Sequence, residues 1–398
     1  MANSLVTIDM VTREALRIAH EKTQFIGTTD RQYDDSFART GAKIGTALRV
    51  RKPNQYVRTT GSRVMDVQDQ SEDTGTITVA TQDHVDMRFN SAELALSLDE
   101  ISMRYIEPAV SVLVSGIEAD YLAFCTKATY QVAGTAGTGI TNLTAPGAAR
   151  AKINQQLAPK DNRNIQMDSV TMGGLVNGVA AYFNPTGDIG KQYREGLVAR
   201  TSMADYYENE RIWTMPNAGD VAGEINAGTL TSGITNLTVD GLTVAPVEGM
   251  VFTVEGTYDV HPETKVAYAH LKQFVCSAGC TTTNLVFTPA IIYDTTNARQ
   301  NCSGAPTNDD NIVFVGALST NYVQPLMYHK EAFQFVTADL PLMGSSEKCV
   351  RRVQDGLSLR VWQDSDIRND ELLMRIDILY GMAALRPEWA CRMIGAAG

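Results

Sequence analysis

Cysteine is scarce in this 398-residue chain: there are six, too few for the disulfide scaffold of a small secreted domain. The five histidines, His20, His84, His261, His270 and His329, are scattered, without the tight pair that a zinc site or a general base favours. Basic residues are outnumbered, 34 Lys and Arg against 45 Asp and Glu. The formal net charge of −11 leaves no global basic field for nonspecific nucleic-acid binding. No uninterrupted apolar run reaches about 18 residues, so no transmembrane helix and no membrane partner is expected. The Met1–Ser4 start has no basic region leading into a long apolar run, so no signal peptide is expected, and the sequons at Asn142, Asn236 and Asn301 carry no glycan argument. The dinucleotide, P-loop, zincin and nucleophile-elbow fingerprints are missing too. No catalytic, cofactor-binding or metal-binding residue is therefore assigned, and no enzyme is expected.

What is present supports a real core. Apolar residues make up 44% and charged residues 20%, close to the globular average, which excludes disordered and fibrous chains. At about 150 residues per domain the length suggests two or three. Residues 4–28 are predicted to hold an amphipathic helix, because Leu5, Ile8, Val11, Ala15 and Ile18 recur at helical spacing, with Ser4 as N-cap and Gly27 at the end. Over residues 41–90 the period falls to two. Ile77, Val79, Thr81, Val85, Met87 and Phe89 share one face; Thr78, Gln82, His84, Asp86 and Arg88 share the other. The opposing segment, 44–60, carries Arg49, Arg51, Lys52 and Arg58, and between the two lie Asp66, Asp69, Glu72 and Asp73. The pattern predicts a two-stranded arm with a basic strand and an acidic tip. An isolated arm is marginal in water, so a partner is expected to lie beneath it.

A long helix is predicted next. Ser97 and Glu100 have capping-box spacing, and Ile101, Tyr105, Val112, Leu113, Ile117, Tyr121 and Phe124 continue a stripe. Pro108 predicts a kink or restart, and Gly116 weakens the helix further. Residues 131–218 read as mixed α/β, with a helix over 145–157, a buried strand over 178–183 closed by Asn184-Pro185, and a strand over 211–215. Residues 219–323 differ sharply: 16 threonines, ten acidic and only three basic residues, with short β-rich runs between turns. That predicts a separate acidic β domain, whose ends should lie close together if it is an insertion. Residues 357–362 and 372–380 are predicted as a closing hairpin.

Some constellations invite chemistry. Cys276, Cys280, Cys302 and His270 have spacings compatible with zinc, and equally with plain thiols packed in a small β domain. The carboxylate pairs Asp34-Asp35, Asp309-Asp310, Asp364/Asp366 and Asp370-Glu371 suit solvated turns. His329 could act as a base, but a strand-end histidine is the commoner case.

The order of elements, together with Ala180-Ala181-Tyr182-Phe183-Asn184-Pro185, Tyr328-His329-Lys330-Glu331-Ala332-Phe333, Leu379-Tyr380-Gly381-Met382 and Ala384-Leu385-Arg386-Pro387-Glu388, resembles the major capsid proteins of tailed bacteriophages, the Hong Kong 97-type α+β fold. More narrowly, it resembles the coat-protein family of short-tailed Salmonella phages, whose members carry an insertion domain. The resemblance implies an N-terminal helical arm (1–40), an extended loop and strand (41–96), a spine helix (97–130), a peripheral and axial core (131–218 and 324–398) and an inserted β-rich domain (219–323).

It further implies a shell of hexamers and pentamers enclosing double-stranded DNA, built in the host cytoplasm and residing in the virion. Implied partners are other copies of the chain, a scaffolding protein, a portal, packaged DNA without sequence specificity and a decoration protein. Arg49, Arg51, Lys52 and Arg58, with Asp66, Asp69, Glu72 and Asp73, become expected subunit-interface residues; Pro108 and Gly116 become expected hinges for shell maturation. Two other readings compete: a carbohydrate-active or glycan-binding protein, with the Thr-rich stretch as binding module, and a cellular nanocompartment shell of the same fold.

Overall fold

The computed structural model describes residues 8–34, 47–61, 67, 74–90, 102–179, 204–217, 222–228, 230–342, 348–354, 356–366, 368–369 and 371–396. The chain opens with α1 (Ile8–Lys22), α2 (Phe25–Thr28) and β1 (Asp30–Asp34), followed by β2 (Ala47–Arg51) and β3 (Thr74–Asn90). One π-helical turn (Ser102–Ile106) leads into α3 (Glu107–Ala128). Then come β4 (Val132–Ala133), α4 (Thr144–Gln155), β5 (Arg163–Met167), α5 (Ser169–Val179), β6 (Asp205–Glu208) and β7 (Thr214–Asn217). A β-rich stretch holds β8 (Ala222–Ile225), β9 (Ile234–Asp240), β10 (Val251–Val260), β11 (Ala267–Cys276), β12 (Asn284–Ile291) and β13 (Asn311–Phe314). The chain closes through β14 (Thr320–Val323), β15 (Leu326–His329), β16 (Phe333–Ala338), β17 (Lys348–Gln354), β18 (Leu357–Asp366), β19 (Glu371–Ala384) and β20 (Ala390–Met393).

Two compact units result. The first comprises Met1–Val50, Gly75–Tyr121 and Phe333–Leu385. Its sheet runs β1-β16-β19-β18-β17, with β3 also on β19 and β2 on β3. The amphipathic stripe is realised in α1, which buries Val11, Ala15, Leu16, Ile18 and Ala19. The helix α3 buries Val110, Leu113, Val114, Ile117 and Tyr121 in the same unit, whereas Val112 is 68% exposed and lies off the stripe. One carboxylate oxygen of Glu118 accepts the backbone N–H groups of Gln24, Phe25 and Ile26 at 2.6, 2.8 and 3.2 Å, supplying acceptors for amides that open α2 and would otherwise be orphaned. Arg104–Ala128 is long and apolar enough to cross a membrane, against the expectation from uninterrupted runs, because Glu107, Glu118, Asp120 and Lys127 punctuate it. Half of its most apolar window is buried, as in the core helix of a globular protein.

The two strands of the arm do pair, β2 on β3, but the expectation of a partner beneath β3 needs correction. Val79–Asn90 does not wait for a neighbour: it pairs antiparallel with Glu371–Gly381 of its own chain, from Asn90 opposite Glu371 to Val79 opposite Gly381. Alternation marks a strand but does not reveal which backbone satisfies its second edge. The pairing shifts register between Tyr380 and Gly381, where a Cβ on Gly381 would press on the Thr78 backbone. Only glycine fits there, which accounts physically for the Tyr380-Gly381 pair in the quoted segment.

The second unit comprises Arg51–Thr74, Leu122–Ala332 and Arg386–Gly398. Its five-stranded sheet runs β4-β20-β15-β5-β6. The six strands β10-β11-β12-β9-β8-β13 close a barrel, so no edge is left to aggregate. Phe252 sits at its centre, 5.6 Å from the ring centroids of Phe274, Phe287 and Phe314 alike. The barrel stretch enters and leaves through one antiparallel pair, β7 on β14, with Asn217 opposite Thr320.

Two further expectations are corrected here. Gly178 and Val179 end the helix α5 rather than start a strand. Three glycines in that helix hide its period, and Gly178 is required because a Cβ would collide with the Thr141 carbonyl. The strand expected at 211–215 is displaced into Asp205–Glu208 and Thr214–Asn217. Ser4, Ser97, Glu100, Ile101 and residues 180–185 lie outside the described residues.

Candidate assembly interface

Past β2 the chain leaves regular structure. Pro53 removes a donor and favours extended backbone, and residues 52–61 run without regular elements. Arg51 and Arg58 are exposed and Lys52 is half-buried. Arg49 belongs to β2, but its side chain lies outside the described residues, as do Asp66, Asp69, Glu72 and Asp73 altogether. The structure therefore brings together part of the expected basic set and is silent on the acidic tip.

Lys52 and Arg58 line one cleft of about 700 Å³ in the second unit. Its other cationic walls are Lys265, Lys272 and Arg299 from the barrel stretch and Arg386 from the closing segment. Lys272 forms the floor. It is buried, 2.8 Å from Asp259, and lies 5.0 Å from the Tyr130 ring centre. Burial alone would discharge this amine; the nearby Tyr130 and the Asp259 carboxylate outweigh that and hold its pKa above the ordinary lysine value. Asp259 in turn stays below the usual carboxylate range although burial opposes it, because His270 and Lys272 hydrogen-bond and attract its charge. Arg386 stacks over Trp389 at 4.1 Å. Sequence reasoning missed Lys265, Lys272, Arg299 and Arg386. The available signal was their scarcity: a stretch with three cations places all three on one cleft.

Elsewhere the chemistry dissolves into structure. His270 Nε2 faces Asp259 at 3.5 Å, Cys280 Sγ lies 3.3 Å from the Ser277 carbonyl, and Cys302 Sγ lies 3.1 Å from the Asn301 side chain. The four residues considered for zinc do not converge, and among the described residues no group of three or more His, Cys, Asp or Glu gathers. Asp310 caps its own turn, accepting from the Thr307 amide at 2.7 Å. His329 is buried, its Nδ1 accepting from the Glu331 amide at 3.2 Å, edge-on to Trp389. Pro108 is the second residue of α3, where the π-helical turn gives way to α-helix; its missing N–H removes no interior bond there, so the helix restarts rather than kinks. Gly116 lies mid-helix, and a Cβ there would meet nothing within 4 Å.

Residues 215–395, a little under half of the chain, match the family model described as P22 coat protein, gene protein 5. No curated protein matches. Among solved structures, that of Mycobacterium phage Che8 aligns with a TM-score of 0.50 at 10% identity, over 93% of this chain and 90% of its own. The capsid structure of the cyanophage P-SCSP1u aligns with a TM-score of 0.47 at 10% identity, over 93% and 87%. The class is thus the α+β, Hong Kong 97-type fold of phage shells. Within that fold, the stretch from β7 through β20 carries the likeness to the P22 coat protein.

Proposed function

We propose that this chain self-assembles as hexamers and pentamers into an icosahedral shell around double-stranded DNA, in the host cytoplasm and with the help of a scaffolding protein. A portal at one vertex, packaged DNA against the inner surface and a decoration protein outside belong to the same reading. The observation that carries it is the family match over residues 215–395, because that single stretch joins the acidic barrel to the closing strands. In this reading residues 1–40 form an arm, the loop between β2 and β3 reaches a neighbour, the spine spans 97–130, and 219–323 is an insertion. Arg49, Arg51, Lys52 and Arg58 on one subunit, and Asp66, Asp69, Glu72 and Asp73 on another, steer assembly by charge and make it salt-sensitive.

The test is size. Purified with and without a scaffold, the chain is expected to sediment as large closed particles visible by negative-stain microscopy. A species that stays a small oligomer under every condition overturns the proposal. Charge reversal at Arg49 and Arg51 is expected to block particles and leave a folded subunit; normal particles from that variant remove the charge-steering part alone.

A further inference from the structure

The stretch 219–323 holds ten carboxylates against three cations, yet Lys265, Lys272 and Arg299 all line the same cleft. Lys52, Arg58 and Arg386 complete a set of six, faced within the cleft by two carboxylates, Glu263 and Glu388. Gathering like charges is unfavourable unless something anionic sits among them. Two of the six, Lys265 and Arg58, have no ion-pair partner among the described residues. Lys272 is matched by Asp259, but Lys265 Nζ donates to the carbonyls of Ala298 and Gln300 at 2.6 and 3.3 Å, which are dipoles and not counter-charges. Arg58 is exposed and makes no ion pair among the described residues. Glu388 is a weakened counter-ion, because burial raises its pKa.

Volume and lining say what fits. About 700 Å³ lies within the range of sites that enclose a ligand, roughly 300–1,000 Å³. Pro53, Tyr56, Pro289 and Trp389 add apolar wall to the cationic one, which suits an extended peptide with spaced carboxylates. The chain carries such a peptide. Asp66, Asp69, Glu72 and Asp73 fall within eight residues, and no Lys or Arg occurs between Arg63 and Arg88. A nucleic acid is the weaker occupant for a chain whose net charge is −11.

We propose that the cleft receives the carboxylate-rich segment 66–73 of a second copy, so that one subunit's acidic tip is clamped between the next subunit's arm stem and its barrel. The choice of a second copy over the same chain rests on the shell reading above.

The test uses the full chain in two reversed forms. One carries Arg58→Glu with Arg299→Glu, the other Asp69→Lys with Glu72→Lys, and circular dichroism establishes that each is folded. Each alone is expected to lose particle formation, and an equimolar mixture to regain hexameric assemblies, because in an even ring the two forms can alternate and each offers its neighbour the matching half. A labelled peptide of residues 64–75 is expected to bind the wild-type chain, and to bind the Arg58→Glu, Arg299→Glu form at least about tenfold more weakly. If both reversed forms assemble as wild type does, the clamp is wrong while the shell reading stands. If a third form carrying all four substitutions assembles but the mixture forms no hexamers, the tip occupies its own cleft and the second-copy assignment fails. If duplex DNA binds the cleft and the peptide does not, the occupant is nucleic acid and the proposal is overturned. If wild type itself forms no particles, the shell reading fails, and the peptide titration still decides the cleft on its own.

Discussion

Arg360 and Asp377 stand directly opposite on β18 and β19 and form a two-pronged ion pair, with side chains 4% and 0% exposed. Asp377 also accepts from Gln82 at 3.0 Å, and Arg360 donates to the Pro341 carbonyl at 2.7 Å. Three strands, β3, β18 and β19, are thus tied at one buried point. Removing one partner leaves a desolvated charge behind. Asp377→Ala is expected to destabilise the first unit by about 3–5 kcal/mol, while Arg360→Met with Asp377→Leu loses far less. Urea unfolding of the unassembled subunit measures both, and equal losses would contradict the account.

Gly116 separates two explanations of the spine. Its helical backbone is ordinary and a Cβ meets open space, so Gly116→Ala is expected to stabilise the subunit by up to about 1 kcal/mol. If the residue serves shell maturation, the same variant assembles but expands more slowly, and Pro108→Ala, at the π-to-α junction, behaves likewise. Melting temperature reads the first effect; particle diameter against time reads the second. Unchanged expansion in both variants removes the hinge role.

His329 gives the fold a pH dependence. Burial lowers its pKa below 6.5; Glu331 and Asp161 oppose the shift, and Arg163 and Arg386 add to it. The unfolded chain therefore binds the proton first as pH falls below 6.5, and the folded state loses stability across that window. Well above 6.5 both forms are neutral and this contribution is constant. His329→Gln keeps an acceptor for the Glu331 amide and does not titrate, so its stability is expected to fall less steeply on the acid side. Chemical denaturation at stepped pH measures the difference, and parallel curves would contradict it.

What was legible in the sequence was what periodicity writes locally. The α1 stripe and the runs around Leu237, Phe252, Phe274, Leu285 and Ile312 each declare their own backbone state, and each emerges as a helix or strand. β8 escaped because Ala222-Gly223-Glu224-Ile225 lacks β-branched residues until its end; closing the barrel holds it, between β9 and β13. α5 escaped because glycine, which Gly178 needs for close packing, also blurs the helical period. The partner of β3 and the cationic cleft were out of reach for another reason. Both depend on residues hundreds of positions apart, such as Val79 beside Gly381 and Lys52 in one cleft with Arg386, and no local pattern records such neighbours.

The barrel offers a test of whether 219–323 is a unit in its own right. All six barrel strands fall inside that stretch, and the flanking strands β7 and β14 bring its two ends together, so a fragment keeps its whole hydrogen-bonded wall when excised. Its core is centred on Phe252, fully buried among Phe274, Phe287 and Phe314, and edge-to-face geometry at 87° against Phe287 adds to the area buried there. The isolated fragment is expected to fold and to melt cooperatively. Phe252→Ala is expected to cost about 3–5 kcal/mol, enough to unfold most small domains outright. Phe252→Leu keeps most of the volume and is expected to retain the melt at a lower midpoint. Circular dichroism and amide-proton dispersion on the three fragments decide the matter: a wild-type fragment without dispersed amides refutes autonomy, whereas a dispersed wild type beside a collapsed Phe252→Ala places the fragment's stability in the ring of four phenylalanines.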